Sequence, residues 1–64
     1  MRQPQVGDII LYRISTNVFY PAIIVNAWNS KAVSCHVFMT NHVNYLNSVL
    51  RGTEIDEWRF KEEI

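Results

Sequence analysis

The stretch at residues 19–28, FYPAIIVNAW, is the most apolar run in the chain. Its β-branched and aromatic side chains favour an extended strand over a helix. Polar, turn-forming residues flank the run on both sides, at 15–17 and at 29–31. Because such turns allow the neighbouring segments to fold back antiparallel, this run is predicted to be the central strand of a β-meander.

Four other segments have the composition or the alternation of strands. The clearest is the segment at 32–39, AVSCHVFM, whose successive side chains alternate between two faces. We predict strands near 8–14, 19–29, 32–39, 48–51 and 57–60. The segment at 40–47 contains three Asn residues and is predicted to be a loop, with room for a single helical turn.

The alternation also predicts which side chains form the core. On the strand at 32–39, Val33, Cys35 and Val37 share the more apolar face, so this face is predicted to point inward. The strand at 19–29 is apolar on both faces. It is therefore expected either to be covered on both sides or to bend so that each end uses a different face. The predicted buried residues are Val25, Val33, Cys35 and Val37.

The length of the chain limits the fold to one small domain, predicted to span residues 1–64. Folding at this size buries only roughly 60% of the surface of the unfolded chain, so one core must supply the stability. Five short antiparallel strands in this order are typical of a small all-β barrel of the SH3-like or Tudor-like type. An OB-like barrel is the alternative, although that fold normally uses a longer chain.

Five short motifs, VGDIILYR, YPAIIVNAW, VSCHVF, SV and EWRF, follow one another between Val6 and Phe60. This pattern resembles a family of very small bacteriophage-encoded proteins, most of which lack an assigned activity. In that family a GDIV-type opening precedes an AAIV and VW strand, a VNLxVF-type strand, an SV segment and a closing TWHW-like strand. The resemblance implies an SH3-like barrel and a phage origin. Thr40 and Asn41 stand where that family has a Gly-Asp type turn.

Charge and cysteine content restrict the partners and the compartment. Six basic and six acidic residues balance, so the chain has no overall field that would attract nucleic acid or a membrane. Cys35 is the single cysteine and cannot form an intrachain disulfide. The residues after Met1 lack the apolar region of a secretory signal, and no apolar run reaches the roughly 18 residues of a membrane helix. The protein is therefore predicted to be soluble and cytoplasmic.

No motif in the sequence indicates catalysis or a cofactor. Two His residues and one Cys make an incomplete set of metal ligands, and the adjacent Cys35 and His36 point to opposite faces of a strand. The two glycines are isolated, so no glycine-rich phosphate loop is present. The sequence predicts a protein that is not an enzyme and that has no metal site, catalytic residue or cofactor.

The aromatic residues are the strongest indication of a contact surface. Phe38 and His36 lie on the face opposite the predicted core, and neighbouring strands could extend this surface. A barrel of this size also needs large side chains in its core, so some aromatic residues are expected to be buried. The predicted partner-binding residues are Tyr20, Trp28, His36, Phe38, Asn41, Asn44, Tyr45 and Trp58.

The sequence leaves more than one class of function open. The first hypothesis is a non-enzymatic phage-type protein that regulates or inhibits a host or defence component by contacting a host protein, with self-association as the simplest contact. The second is an oligomeric binder of a nucleotide or of single-stranded nucleic acid, in which Arg13, Arg51 and Arg59 would meet the phosphates. The balanced net charge disfavours nucleic acid. A minor structural role in a virion is a third hypothesis.

Overall fold

The computed structural model describes residues 2–63 and is almost entirely β-structure. Its elements are β1 (Ile9–Ser15), β2 (Val18–Ala27), β3 (Ala32–Phe38), β4 (Val43–Leu50), β5 (Trp58–Arg59) and a 3-10 turn (Lys61–Glu63). The strands form a single sheet in the order β4-β3-β2-β1-β5, and each neighbouring pair is antiparallel. The predicted all-β class and the meander of five strands are therefore confirmed.

The two ends of the sheet meet beyond β4. Arg51 forms a parallel bridge with Trp58, and the Gly52 N–H donates to the Trp58 carbonyl at 2.9 Å. This contact brings the end of β4 next to β5, so the sheet curls into a small barrel with dimensions of 28 × 21 × 17 Å. No helix in residues 2–63 has the length and apolar character needed to cross a membrane.

Both of the early turns lie where the polar residues predict them. Asn17 connects β1 to β2 and has a φ of 63°, a left-handed conformation that asparagine tolerates better than most residues. Between β2 and β3, the Asn29 side-chain oxygen accepts hydrogen bonds from the Lys31 and Ala32 N–H groups, both at 2.8 Å. These local hydrogen bonds fix the direction in which each following strand leaves its turn.

The core lies inside the curl of the sheet. Val33, Cys35 and Val37 are completely buried, which confirms the predicted parity of β3. The buried apolar residues are Ile10, Tyr12, Ala22, Ile24, Val33, Cys35, Val37, Val49, Trp58 and Phe60. The core therefore draws on all five strands and on the residue after β5.

The prediction that Val25 is buried is wrong. Val25 is 40% exposed because the pairing of β2 with β3 shifts at this residue. Ile24 pairs with Cys35, whereas Asn26 pairs with Ser34, so Val25 is an extra residue in a bulge. The bulge lets Ile24 and the later Ala27 both face the core. The strand thus changes its inward parity along its length, which is one of the two arrangements expected for a strand that is apolar on both faces.

The prediction of a loop at 40–47 followed by a short strand at 48–51 is also wrong. The connection ends at His42, and β4 extends from Val43 to Leu50. The Asn residues suggested a loop because asparagine is rare in strands, but β4 lies at the edge of the sheet and most of it is exposed. An edge strand tolerates polar residues because strand propensity largely reflects packing against neighbours.

Trp58 was expected on an exposed aromatic surface, and this prediction is wrong. Its ring is completely buried and packs edge-to-face against Phe60, with ring centroids 5.2 Å apart. The indole N–H donates to the Lys31 carbonyl at 2.9 Å, so the polar end of the ring is satisfied inside the barrel. The neighbouring side chains of Glu57 and Arg59 are only partly buried, as alternation along a strand requires.

Tyr12 connects the core to the loop that precedes β5. Its ring is buried, and its hydroxyl donates to the Asp56 carboxylate at 2.7 Å. Asp56 is held in position because its N–H donates to the Arg13 carbonyl. The pKa of Tyr12 is raised to about 12, mainly by burial and secondly by the hydrogen bond to Asp56.

We expect Cys35 in the folded protein to resist thiol reagents at pH 8. The side chain is inaccessible, and burial raises the pKa of the thiol to about 11, so little thiolate is present. Labelling with a chromogenic disulfide should proceed only after urea unfolds the chain. If the native protein reacted as fast as the unfolded chain, the assigned parity of β3 would be incorrect.

Val37→Ala is expected to lower the free energy of unfolding by about 1 to 3 kcal/mol, because it removes buried methyl groups and leaves a cavity. The matched control is Val6→Ala, since Val6 is 67% exposed. The control should change stability by less than about 0.5 kcal/mol. Urea titrations followed by tryptophan fluorescence measure both values, and equal effects of the two substitutions would rule out a buried Val37.

Stability should fall as the pH rises from about 10 to about 12, because Tyr12 has a higher pKa in the folded protein than in the unfolded chain. The neutral phenol is the stabilised form, so its contribution is complete below pH 10 and is lost as the phenol ionises. Tyr12→Phe should flatten this part of the pH profile, whereas the exposed Tyr45→Phe should not. Urea unfolding across this pH range tests the difference, and identical profiles for the two variants would contradict it.

Candidate functional site

The side of β2, β3 and β4 that faces away from the core carries a continuous set of apolar side chains. Residues paired across an antiparallel sheet point to the same face. One row across the sheet comprises Ile9, Ile23, His36 and Tyr45, since each is paired with the next. In the neighbouring row, Phe38 is paired with Val43. We call His36, Phe38, Val43 and Tyr45 the outer patch.

The outer patch is open to solvent. Phe38 is 43% exposed, and Val43 and Tyr45 are each 53% exposed. His36 is less exposed because the Tyr45 ring lies against it, with centroids 5.3 Å apart and planes tilted by 52°. The two rings support each other on adjacent strands, so they present a defined surface.

Trp28 extends the outer patch along β3. Its ring is 55% exposed, but its indole N–H donates to the Ser34 hydroxyl at 2.9 Å. The Ser34 hydroxyl in turn donates to the Asn47 side-chain oxygen at 2.7 Å. Ser34 is completely buried although it alternates with the inward-facing Val33 and Cys35. The Trp28 ring and its hydrogen bond therefore cover the outer side of β3 next to the outer patch.

The structure places four of the predicted partner-binding residues on this outer face. His36 and Phe38 are on β3, Tyr45 is on β4, and Trp28 follows β2 and is bonded to Ser34 of β3. Asn41 lies in the adjacent turn, where its side-chain oxygen contacts Nδ1 of His42 at 2.7 Å. The turn is closed by a 2.8 Å hydrogen bond from the Met39 N–H to the His42 carbonyl.

Three of the predicted partner-binding residues lie elsewhere. Tyr20 packs against the core on the inner side of the sheet, and its hydroxyl lies 3.5 Å from the Thr40 hydroxyl. Asn44 is paired with the buried Val37 and so faces the inner side of the edge strand, where it is exposed. Trp58 is part of the core. These corrections separate the aromatic residues that stabilise the barrel from those that remain available for contact.

Sequence reasoning missed Val43 and Ile23 as members of this face. Val43 fell inside the predicted loop, although the alternation of Val43 with Tyr45 was a local indication of a strand. Ile23 could be assigned to the outer face only once its pairing with His36 was known. The cross-strand register therefore carries information that alternation within a single segment does not.

The edge position of β4 gives the site a second feature. One side of β4 pairs with β3, and the sheet ends at its other side. Natural edge strands usually carry charged residues that block pairing with another chain. The sequence of β4, VNYLNSVL, has none. A bulge opposite Ser34, where Ser48 has a φ of 58°, interrupts only the later part of the strand.

The chemistry of this surface suits contact more than bond making. The outer patch and Trp28 present aromatic rings, methyl groups and one imidazole. Cys35 is buried on the opposite side of β3 from His36, so the two side chains do not form a nucleophile and base pair. The surface can exclude water from an apolar partner, and the imidazole nitrogens of His36 can orient that partner.

Comparisons of the chain with models of protein families, with curated proteins and with solved structures found no match.

Proposed function

We propose that this protein is a non-enzymatic binding module that contacts another protein through the outer patch and Trp28. The observation that carries the proposal is the exposed surface of Trp28, Phe38, Val43 and Tyr45 on the outer face of the sheet. Exposed apolar side chains are common on proteins when they are scattered singly. Several of them on adjacent strands form a patch of the kind that marks an interaction site.

The way the rings are held supports binding by contact. Phe38 and Tyr45 are on hydrogen-bonded strands, and the indole of Trp28 is fixed by its hydrogen bond to Ser34. Side chains that are already ordered lose less conformational entropy when a partner covers them. Aromatic residues with a fixed orientation are also the usual energetic centres of protein interfaces.

The free edge of β4 supports an interface in which another strand extends the sheet. Backbone hydrogen bonds along this edge would align the partner, and the side chains of Val43 and Tyr45 would contact it. A second copy of the chain is the simplest partner, since two uncharged β4 strands can pair about a twofold axis without charge repulsion.

The resemblance to small bacteriophage proteins supports a host protein as the biological partner. In this proposal, the protein acts in the host cytoplasm and regulates or inhibits a host or defence component by covering part of its surface. Self-association through the same face would then compete with host binding or present two copies of the surface.

Substitution of the exposed rings should remove binding and preserve the fold. Phe38→Ser and Tyr45→Ser are each expected to weaken the complex by about 2 kcal/mol, roughly thirtyfold in Kd. Ile55→Ser is the matched control, because Ile55 is 48% exposed but lies in the loop before β5. Circular dichroism and urea unfolding would verify that all three variants remain folded.

Two measurements test the proposed surface. Sedimentation equilibrium reports self-association. For a host partner, proteins are captured from bacterial lysate, and titration calorimetry with the purified captured protein then measures the affinity. The proposal requires a loss with Phe38→Ser and Tyr45→Ser and no loss with Ile55→Ser. It would be rejected if wild type and both ring variants had the same association state and the same affinity for every captured protein.

A further inference from the structure

A cavity of about 260 Å³ opens at the seam where the barrel closes, outside the outer patch. It lies between the turn that connects β2 to β3, the segment that follows β4, and β5 with the 3-10 turn. The side chains that line it and matter for its chemistry belong to Ser30, Lys31, Arg51, Thr53, Arg59 and Glu63. Its volume is below the range of most drug-sized ligand pockets, which begins near 300 Å³, but it has room for a small polar group.

The cavity concentrates positive charge in a chain whose net charge is zero. Three of its lining residues are cationic, Lys31, Arg51 and Arg59, and one is anionic, Glu63. Clefts lined by one sign of charge focus the electrostatic field and attract ligands of the opposite sign. The balance of the lining residues therefore favours an anion.

Glu63 is already used by Arg51. The Arg51 guanidinium donates to the Glu63 carboxylate and to the Arg2 carbonyl, the latter at 2.8 Å. The Arg51 side chain is only 9% exposed and also lies over the rings of Trp58 and Phe60. The hydrogen bond from Arg51 is the main reason why the pKa of Glu63 is lowered, so this carboxylate stays ionised as the partner of Arg51.

Among residues 2–63, Lys31 and Arg59 form no ion pair, although the charge of Arg59 helps to lower the pKa of Glu63. In the part of the chain from 2 to 63, the ion pairs involve only Arg2 and Arg51 among the cations. Lys31 and Arg59 line the cavity from different sides, Lys31 from the turn before β3 and Arg59 from β5. Together they could contact one anion from two directions.

The guanidinium of Arg59 lies at the cavity wall and has one buried donor. Its Nε–H is buried, and within residues 2–63 it has no hydrogen-bond partner. A buried charged donor without an acceptor is costly, and native proteins usually satisfy such groups. Because this Nε atom is closed off from solvent, an anion in the cavity would meet the guanidinium at its Nη groups, which are well matched to the oxygen atoms of a phosphate.

The walls of the cavity are fixed before any ligand arrives. The Lys31 carbonyl accepts hydrogen bonds from the Arg51 N–H and from the Trp58 indole, at 2.8 and 2.9 Å. Asn29 holds the Lys31 N–H from the other side of the turn. This arrangement places Lys31 next to the end of β4 with little conformational freedom in the backbone, so a bound anion would require little ordering of the chain.

We infer that this cavity binds the phosphate group of a small molecule, with Lys31 and Arg59 as the cationic contacts. The hydroxyl groups of Ser30 and Thr53 on the lining are suitable additional donors. Inorganic phosphate and the phosphate of a mononucleotide share this chemistry. The cavity has room for one phosphate and part of its sugar, and the rest of a nucleotide would lie at its open mouth.

The test is titration of the intact protein with inorganic phosphate, AMP and adenosine, followed by calorimetry and by the nitrogen NMR signal of the Arg59 side chain. Phosphate or AMP should bind, adenosine should not, and the Arg59 Nε–H signal should shift as the anion meets the guanidinium. Tighter binding of AMP than of phosphate would identify a nucleotide, and equal binding would identify the phosphate group alone as the ligand.

Variants separate a specific site from general attraction to positive charge. Arg59→Gln should weaken phosphate binding roughly tenfold or more, since it removes charge-assisted hydrogen bonds. Lys31→Gln should weaken it severalfold. Lys61→Gln is the matched control, because Lys61 is an exposed cation that does not line the cavity.

Several results would overturn the inference. These are an unmoved Arg59 signal in the wild type at high phosphate concentration, equal binding of AMP and adenosine, or the same loss with Lys61→Gln as with Arg59→Gln. If Arg59→Gln does not fold, Arg59→Lys keeps the charge but removes the Nε donor and should still weaken binding. The cavity shares no residue with the outer patch, so failure here leaves the proposed protein-binding function unaffected.

Discussion

The closure of the barrel depends on the burial of Trp58. β5 contains only two residues, too few to be held in place by its ladder with β1 alone. The ring of Trp58 fills the core against Phe60, its indole N–H is bonded to the turn before β3, and its carbonyl accepts from Gly52. Arg51 then covers both rings and connects them to Glu63 and to the start of the described chain. Trp58 thus links β5 to the turn before β3 and to the segment that follows β4.

The closure of the barrel also brings together two parts of the chain that carry opposite net charge. Residues 1–53 carry four basic side chains and one acidic one, whereas residues 54–64 carry two basic and five acidic ones. The structure folds the acidic end against the basic body, where Glu62 pairs with Arg2 and Glu63 pairs with Arg51. The exposed pair contributes little to stability, but the largely buried guanidinium of Arg51 needs its carboxylate and carbonyl acceptors. Two of the five acidic side chains of residues 54–64 are therefore engaged within the fold.

Local alternation predicted the parts of this fold in which one face of a strand is clearly more apolar. The inward face of β3 belongs to this class. The bulge at Val25 and the edge strand β4 do not, because both depend on which segments become neighbours. Trp58 is a different case, since the charged residues on either side of it, Glu57 and Arg59, already indicated that the ring points inward. Its assignment to the surface gave too much weight to aromatic content and too little to parity.

In the candidate site, too, some features follow from the pattern of one strand and others depend on which strands become neighbours. The exposure of Phe38 and the position of His36 follow from the parity of β3 alone, whereas the placement of Tyr45 against His36 required the register between β3 and β4. The second hypothesis from the sequence assigns phosphate contacts to Arg51 and Arg59, but it also includes Arg13, which does not line the cavity, and it omits Lys31. The cavity itself could not be predicted, because Lys31 meets the two arginines only when the barrel closes. Pairing information over long sequence separations is what the sequence pattern lacked.

The pairing of β1 with β5 has a consequence for the rate at which the fold forms and is lost. Leu11 and Arg59 are partners although they lie about 48 positions apart, whereas the three hairpins from β1 to β4 join neighbouring segments. Hairpins form in microseconds, but a long loop must lose more entropy before its ends can pair. The short strand carrying Trp58 should therefore dock late in folding and detach early in unfolding. The lifetime of the native state would then be set by how tightly this one strand is held, so contacts at the seam slow unfolding more than they speed folding.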